Sequence, residues 1–368
     1  MATITKYATD AGTRYRVRWY DDERRERQKR GFVRKRDAEE FASRIAVALS
    51  DGTYTRPTAG NVTVEALGDA WIARQTHLKA STKRGYVSGW ENYVKPRWGS
   101  VRASGVRKTA VSAWVAEMSE GRSYTTVTRN LGILRSILAD AVDDRIIPNN
   151  PAEGIKNLPT RGEGRQTFLT HEQLHALANA AEDRRALILT LGYCGLRWGE
   201  ATALRVRDVN LVKNRLRIER NAVEVGSRIV EGTPKNHERR SVPFPAFLRP
   251  VLAEAMKDKL PDALVFPGPA GDYLRRPKNE RSWWVKACEE ARSGDDSFPE
   301  GLTRHDLRHT AASLAISAGV NIKALQRMLG HSSASLTLDR YGHLFPDDLD
   351  SVATGLDAAV RALGLQAG

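Results

Sequence analysis

The sequence predicts a multidomain, mainly α protein: a small β-sheet-plus-helix domain at the N-terminus, an all-α domain after it, and a larger α+β domain beyond. Three observations predict this. The 368 residues are too many for one hydrophobic core. Two linker-like stretches interrupt the chain: residues 51–61, with two Gly and a Pro, and the basic, Gly-containing residues 156–165. The apolar spacing changes from period two near the N-terminus to a helical period beyond residue 62. The expected domains are therefore 1–56, 62–157 and 166–368.

In the first domain, Tyr15-Arg16-Val17-Arg18-Trp19-Tyr20 alternates basic and apolar residues, as a half-buried strand does. Asp21-Asp22 reads as a turn, and a basic run around Phe32 and Val33, from Arg27 to Arg36, as a second strand. Asp37 is the expected cap of a helix carrying Phe41, Ile45 and Leu49. A small sheet with one basic face can sit in a DNA groove.

The second domain reads as four helices. Val64, Leu67, Trp71 and Ile72 mark the first. Tyr86, Trp90 and Val94 mark a second starting at Ser81. Val111, Trp114, Val115 and Met118 mark a third, and Val127, Leu131, Leu134, Leu138 and Val142 a fourth. At these spacings the tryptophans are core residues rather than base-stacking ones. Pro148-Asn149-Asn150-Pro151 ends the pattern.

In the third domain, Thr170 and Gln173 fit a capping box with a helix behind it. A second helix ends near Cys194, Gly195 makes a turn, and another helix starts about Trp198. Leu216, Ile218, Val223, Val225, Ile229 and Val230, with Gly226 between, suggest two strands, and Arg240-Ser241-Val242 a third. From Thr303, the expected cap, a helix runs to about Ala318, with Gly319 and Gly330 punctuating the helical segment beyond it. Val352, Leu356, Val360 and Leu363 lie on one face of a final helix.

Composition narrows the function classes. Fifty-eight Lys and Arg against 44 Asp and Glu leave a net charge of +14, spread along the chain, which suits a long polyanionic partner such as nucleic acid. No apolar run approaches the ~18 residues of a membrane span, and residues 1–10 lack a signal-peptide segment, so a cytoplasmic location is expected. The two cysteines, Cys194 and Cys288, are far apart and form neither a disulfide framework nor a zinc motif. Cys194 reads as a small buried hydrophobe.

Four separated pieces carry the chemistry: Gly195-Leu196-Arg197-Trp198-Gly199-Glu200; Thr233-Pro234-Lys235-Asn236; Thr303-Arg304-His305-Asp306-Leu307-Arg308-His309; and Leu329-Gly330-His331-Ser332-Ser333, ten residues ahead of Tyr341. In this order and at these separations they resemble the tyrosine recombinase (phage integrase) family, over about 200 residues. The layout is similar to integrases of temperate actinobacteriophages, and the first two domains resemble, less specifically, their arm-binding and core-binding domains.

The residue types suit that chemistry without the family. A nucleophile that keeps the phosphoryl group conserves the bond's energy, and a tyrosine phosphodiester can later be attacked by a DNA hydroxyl. The transition state carries negative charge that fixed guanidinium forks stabilise without a metal. Arg197 and Arg308 are the expected pair and Tyr341 the nucleophile. Lys235 is the candidate acid for the departing 5′-hydroxyl, with Lys213 and Arg239 as its competitors for that role. His305 and His331 can hydrogen-bond the phosphate, and His305 is also the candidate acceptor of the tyrosine proton. Glu200 reads as a buttress, His309 and His343 as packing or hydrogen-bonding residues. On a helix from Thr303, His305 and Arg308 would face DNA while Leu307, Ala311 and Leu314 pack inward.

His305 and His309 have a zinc-like spacing, but no glutamate or third ligand accompanies them, so neither metal nor cofactor is expected. The resemblance implies a tetramer on double-stranded attachment sites, a tail helix docked on a neighbouring subunit, and helpers such as a DNA-bending host factor and an excisionase; the apolar face of the tail suits docking on its own domain equally. Three other readings make different forecasts. A type IB topoisomerase would relax DNA without exchange, a regulator would tolerate Tyr341→Phe, and a metal-dependent nuclease would stop in EDTA.

Overall fold

The computed structural model has two units, Met1–Glu163 and Gly164–Gly368, and the first holds both the alternating strands and the helical run beyond residue 62. The structure describes residues 2–21, 23–52, 54–56, 58–162, 166–234, 239–344 and 349–363.

The first unit begins with an antiparallel sheet, β1 (Thr3–Thr9), β2 (Gly12–Tyr20) and β3 (Glu26–Phe32), in that order, followed by α1 (Lys35–Ser50). The period-two pattern of β2 buries Val17 and Trp19 against Ala38 of α1 and Tyr54. The Trp19 indole N–H donates to the Tyr54 hydroxyl at 3.0 Å, so part of the expected linker is packed into this core. Asp21 makes the turn by accepting from the Glu23 and Arg25 amides and from Arg27. Asp22 lies outside the described residues. Two expectations need correction. β3 stops at Phe32, and Arg34 rather than Asp37 holds the cap position of α1. Asp37 sits inside the first turn, where its charge still complements the helix dipole. β1 had no clear signal in the sequence.

The helices α2 (Val64–Arg74), α3 (Ala80–Gly89), α4 (Lys95–Trp98), α5 (Lys108–Ser119) and α6 (Tyr124–Asp143) form a second core in this unit. Trp71, Trp90 and Trp114 are core residues, as their spacing predicted, and Trp98 is buried with them. A Cβ at Gly68 would come within 2.1 Å of the Trp90 ring, so α2 needs glycine there to let the indole lie against it. The helix expected from Ser81 through Val94 is not continuous, because a π-helical turn, Trp90–Val94, joins α3 to α4.

The second unit is built around α7 (His171–Ala180), α8 (Arg185–Cys194), α9 (Trp198–Thr202), α10 (Leu248–Met256), α11 (Trp283–Ser293) and α12 (Asp306–Ser317). The Thr170/Gln173 capping box is present. β4 (Val209–Asn210), β5 (Arg215–Ile218) and β8 (Arg240–Pro243) form one antiparallel sheet, and β6 (Asn221–Val225) with β7 (Arg228–Gly232) a hairpin. The apolar run expected to give two strands therefore gives three. α13 (Ile322–Leu329), α14 (Ala334–Tyr341) and α15 (Leu349–Ala362) complete the chain order. Leu356, Val360 and Leu363 of the last segment are exposed, and the Val352 side chain lies outside the described residues. No helix among the described residues is long and apolar enough to cross a membrane.

The α12 expectation needs correction in two respects. The helix starts at Asp306, and Thr303 instead donates its amide and hydroxyl to the Asp306 carboxylate, both at 2.7 Å. No face of its first two turns is open to solvent, since Asp306, Leu307, Arg308, His309, Thr310, Ala311 and Ala312 are all buried. Leu307 joins the large core around α8, while Ala312 and Ile316 join a smaller one containing Leu325, Leu329 and Tyr341. Small Ala and Thr side chains let neighbouring elements approach from every side.

Candidate active site

The site begins at the end of α8. Gly195 takes a left-handed conformation, φ 62°, and turns the chain so that Arg197 caps α9. Glu200, three residues on, is fully buried. Its carboxylate accepts the Arg197 amide (2.9 Å) and the Arg197 guanidinium (2.8 Å). Arg240 of β8 grips the same carboxylate through both terminal nitrogens, at 3.0 and 2.7 Å. Burial alone would raise the Glu200 carboxyl, but the Arg240 hydrogen bonds and charge, with Arg197, outweigh it and hold it at about 2. Glu200 is thus a permanent anion that fixes two guanidinium groups.

The C-terminus of α13 gathers the cations. Arg240 Nε donates to the Met328 carbonyl (3.0 Å), Arg308 to the Leu329 carbonyl (2.5 Å) and Arg197 to the Gly330 carbonyl (3.2 Å). Arg308 also donates to the Gly195 carbonyl at 2.6 Å. Three successive carbonyls at the negative end of a helix dipole thus each hold a different arginine. Gly330, with φ 63°, ends the helix, and a Cβ there would meet the Arg240 side chain at 3.1 Å. Arg308 is 2 % exposed. Burial first, and then repulsion from Arg197, push its guanidinium down to about 9, still protonated at neutral pH. Arg308 and Arg197 each use two of five N–H donors in the bonds described, which leaves donors for a phosphate.

Tyr341 ends α14, fully buried beside this cluster. Its hydroxyl is 2.8 Å from His309 Nδ1, and its ring stacks on His331 with centroids 6.4 Å apart and planes 6° from parallel. His331 Nδ1 is 2.9 Å from the Thr337 hydroxyl. Burial, and then the charges led by Arg308 and Arg340, lower His331 to about 3, so its ring is neutral at physiological pH. Burial raises the Tyr341 phenol, with Arg308 and Arg340 pulling the other way. His305 is exposed, and its ring meets the His309 ring edge-on at 5.0 Å.

The structure therefore brings Arg197, Glu200, Arg308, His331 and Tyr341 together, with His305 at the rim. Lys235 lies outside the described residues. Two participants were given no part in the chemistry by the sequence. Arg240 is one cation in a strongly basic chain, and only its place at the start of a strand distinguished it. His309 was read as a packing or hydrogen-bonding residue, and its partner is the Tyr341 hydroxyl itself. Among the described residues no three His, Cys, Asp or Glu side chains form a group that could hold a metal ion.

A phenol beside fixed guanidinium and neutral imidazole groups has the parts that phosphoryl transfer to tyrosine would use, a nucleophilic oxygen and donors for developing negative charge. Residues 167–347 match the phage integrase family. The integrase of Mycobacterium phage D29 is 28 % identical over 326 residues, covering 84 % of each chain. Among solved structures, the Tn1549 transposon integrase in complex with a circular intermediate DNA has a TM-score of 0.67 at 20 % identity, covering 80 % of this chain and 99 % of that one. A lambda integrase tetramer bound to a Holliday junction has a TM-score of 0.57 at 16 % identity, covering 90 % and 96 %. These structural likenesses show the fold. The chain belongs to the phage integrase family of tyrosine recombinases, enzymes that break and rejoin DNA strands.

Proposed function

We propose that this enzyme integrates and excises DNA between double-stranded attachment sites, with Tyr341 as the nucleophile. The phenol oxygen attacks the scissile phosphate, leaving a 3′-phosphotyrosyl link and a free 5′-hydroxyl. The partner strand's 5′-hydroxyl then reverses the attack, so the bond's energy is kept and no ATP is used. Arg197 and Arg308 stabilise the charge on the pentavalent phosphorus, with Glu200 holding Arg197 in place. His305 and His331 hydrogen-bond the phosphate oxygens. Lys235 donates the proton to the leaving 5′-oxygen. The observation that carries this reading is the Tyr341 phenol buried in the cluster of Arg308, His309 and His331, with Arg197 held to the same helix end.

The first unit serves DNA binding in two parts, an arm-site binder at residues 1–56 and a core-site binder at 62–157, ahead of a catalytic domain at 166–368. Separate hydrophobic cores, one around Trp19 and one around Trp90, support that division. The lambda integrase neighbour is a tetramer on a Holliday junction. We read this enzyme as acting in the same assembly on DNA in the bacterial cytoplasm, its tail helix on a neighbouring subunit, aided by a DNA-bending host factor and an excisionase.

Two differently labelled duplexes carrying attachment sites, incubated with the protein in EDTA and without ATP, test this. Recombinant strands joining the two labels are expected. Relaxation of supercoiled DNA with no exchange between the duplexes would instead assign the chain to a topoisomerase reaction.

A further inference from the structure

We propose that His309 is the base that takes the proton from Tyr341 as the phenol attacks DNA. This rests on Tyr341 being the nucleophile. The phenol is neutral in its buried place, so attack requires a proton acceptor within hydrogen-bond reach. Of the three histidines around it, His309 alone has a described hydrogen bond to the hydroxyl, at 2.8 Å. The Nδ1 of His331 is turned to Thr337, and its ring lies face to face with the phenol rather than pointing a nitrogen at its oxygen. The His305 ring packs against His309, and no described hydrogen bond joins it to the phenol.

His309 is placed for the task by its neighbours. Its ring is 8 % exposed and is held edge-on by Phe168 (6.5 Å), His305 (5.0 Å) and Tyr341 (5.6 Å). It comes directly after Arg308, so one turn of α12 presents a guanidinium to the phosphate site and an imidazole to the nucleophile. The titratable and charged groups facing it are His305 at the cap of α12, Asp306 and Arg308 within that helix, and Arg340 and Tyr341 from α14; His331 stacks on the phenol ring. Burial first, then His305, lower its imidazole to about 4, with Arg340 and Arg308 adding and Asp306 opposing. The ring is therefore uncharged at neutral pH. With its proton on Nε2, the Nδ1 lone pair faces the hydroxyl. A phosphate in the cradle would bring negative charge that offsets the arginines' repulsion of an imidazolium.

The step balances. The Tyr341 O–H bond breaks and its proton passes to His309 Nδ1. The phenol oxygen's electron pair forms the bond to phosphorus. The bond from phosphorus to the 5′-oxygen breaks, and that oxygen takes a proton from Lys235, the proposed acid. In the return reaction the His309 imidazolium gives its proton back to the phenol oxygen as the DNA hydroxyl attacks.

Covalent adduct formation on a nicked suicide duplex, measured in single turnover between pH 6.5 and 8.5, tests the assignment. The parent rate is expected to be nearly flat over this range, because a neutral base needs no prior ionisation of the phenol. His309→Asn is expected to bind the duplex as the parent does and to cleave about 100-fold more slowly. Its rate should rise about tenfold per pH unit, as the phenolate fraction does. Replacing Tyr341 by 3,5-difluorotyrosine, a more acidic phenol, should restore most of that loss. A parent rate that itself climbs tenfold per unit would overturn the assignment without any substitution at His309. So would a His309→Asn chain that cleaves within about threefold of the parent, or one whose loss the fluorinated phenol does not relieve. An adduct that persists in Tyr341→Phe would overturn the nucleophile, and the base with it.

Discussion

Arg240 grips both oxygens of Glu200 across 40 residues of sequence, tying β8 to the first turn of α9. The pair is buried, and Glu200 also holds Arg197, so one carboxylate sets the position of two cations in the site. Breaking a buried pair from one side leaves an uncompensated charge, which costs more than the pair itself contributes.

Arg240→Ala is therefore expected to lower global stability by about 3–5 kcal/mol, read as a shift in the urea midpoint. Arg240→Lys should recover only part of this, because a single ammonium cannot replace a fork that bonds two carboxylate oxygens and the Met328 carbonyl.

Gly195 and Gly330 bracket the arginine cluster, both with left-handed backbone. A Cβ at Gly195 would approach Leu329 to 2.7 Å, and one at Gly330 would approach Arg240 to 3.1 Å. Each Gly→Ala change is expected to cost about 1–3 kcal/mol from backbone strain and overpacking. Adduct formation should fall more than DNA affinity, since the displaced atoms are those that hold Arg308 and Arg240. Gel-shift titration beside cleavage kinetics separates the two.

Acid should destabilise the second unit earlier than its carboxylates alone would. His309 and His331 have folded values of about 4 and about 3, below the ordinary 6.5 of the unfolded chain. Between those values the unfolded state binds more protons, so stability falls as pH drops below 6.5. The slope is at most about 1.4 kcal/mol per pH unit for each histidine. Glu200 adds its own loss lower still, as pH falls from the carboxylate range toward about 2. Thermal midpoints measured from pH 8 to pH 4 should show the decline beginning near 6.5, and His331→Gln should make it shallower.

The first unit has a comparable weak point. Gly68→Ala would drive a methyl group into the Trp90 indole, with 2.1 Å available, at the seam between α2 and the π-helical turn. Loss of about 1–3 kcal/mol in that unit is expected, visible by calorimetry of the full chain as a lower transition temperature for that unit with the second unit's transition unmoved.

Much of this was legible in the sequence because side-chain identity carried it. Alternation announced β2, a long apolar stripe announced α6, and spaced motifs named Arg197, Glu200, Arg308, His331 and Tyr341. What was hidden has physical reasons. The three carbonyls that collect the arginines are backbone groups with no letter of their own. Arg240 is chemically indistinguishable from dozens of other cations until β8 places it opposite Glu200. The first turns of α12 looked amphipathic because Arg308 and His309 are polar, yet both are buried with their hydrogen bonds supplied by Gly195, Leu329 and Tyr341. The break between α3 and α4 lies in a run whose apolar spacing is nearly continuous.

The central claim is that the Tyr341 phenol forms the bond to DNA. Trapping the protein on a nicked attachment-site duplex and digesting the complex for mass spectrometry tests it most directly. The expected result is a nucleotide-bearing peptide modified at Tyr341 and no covalent complex from Tyr341→Phe. A modified residue elsewhere in the chain, or cleaved DNA with no protein attached, would contradict the account.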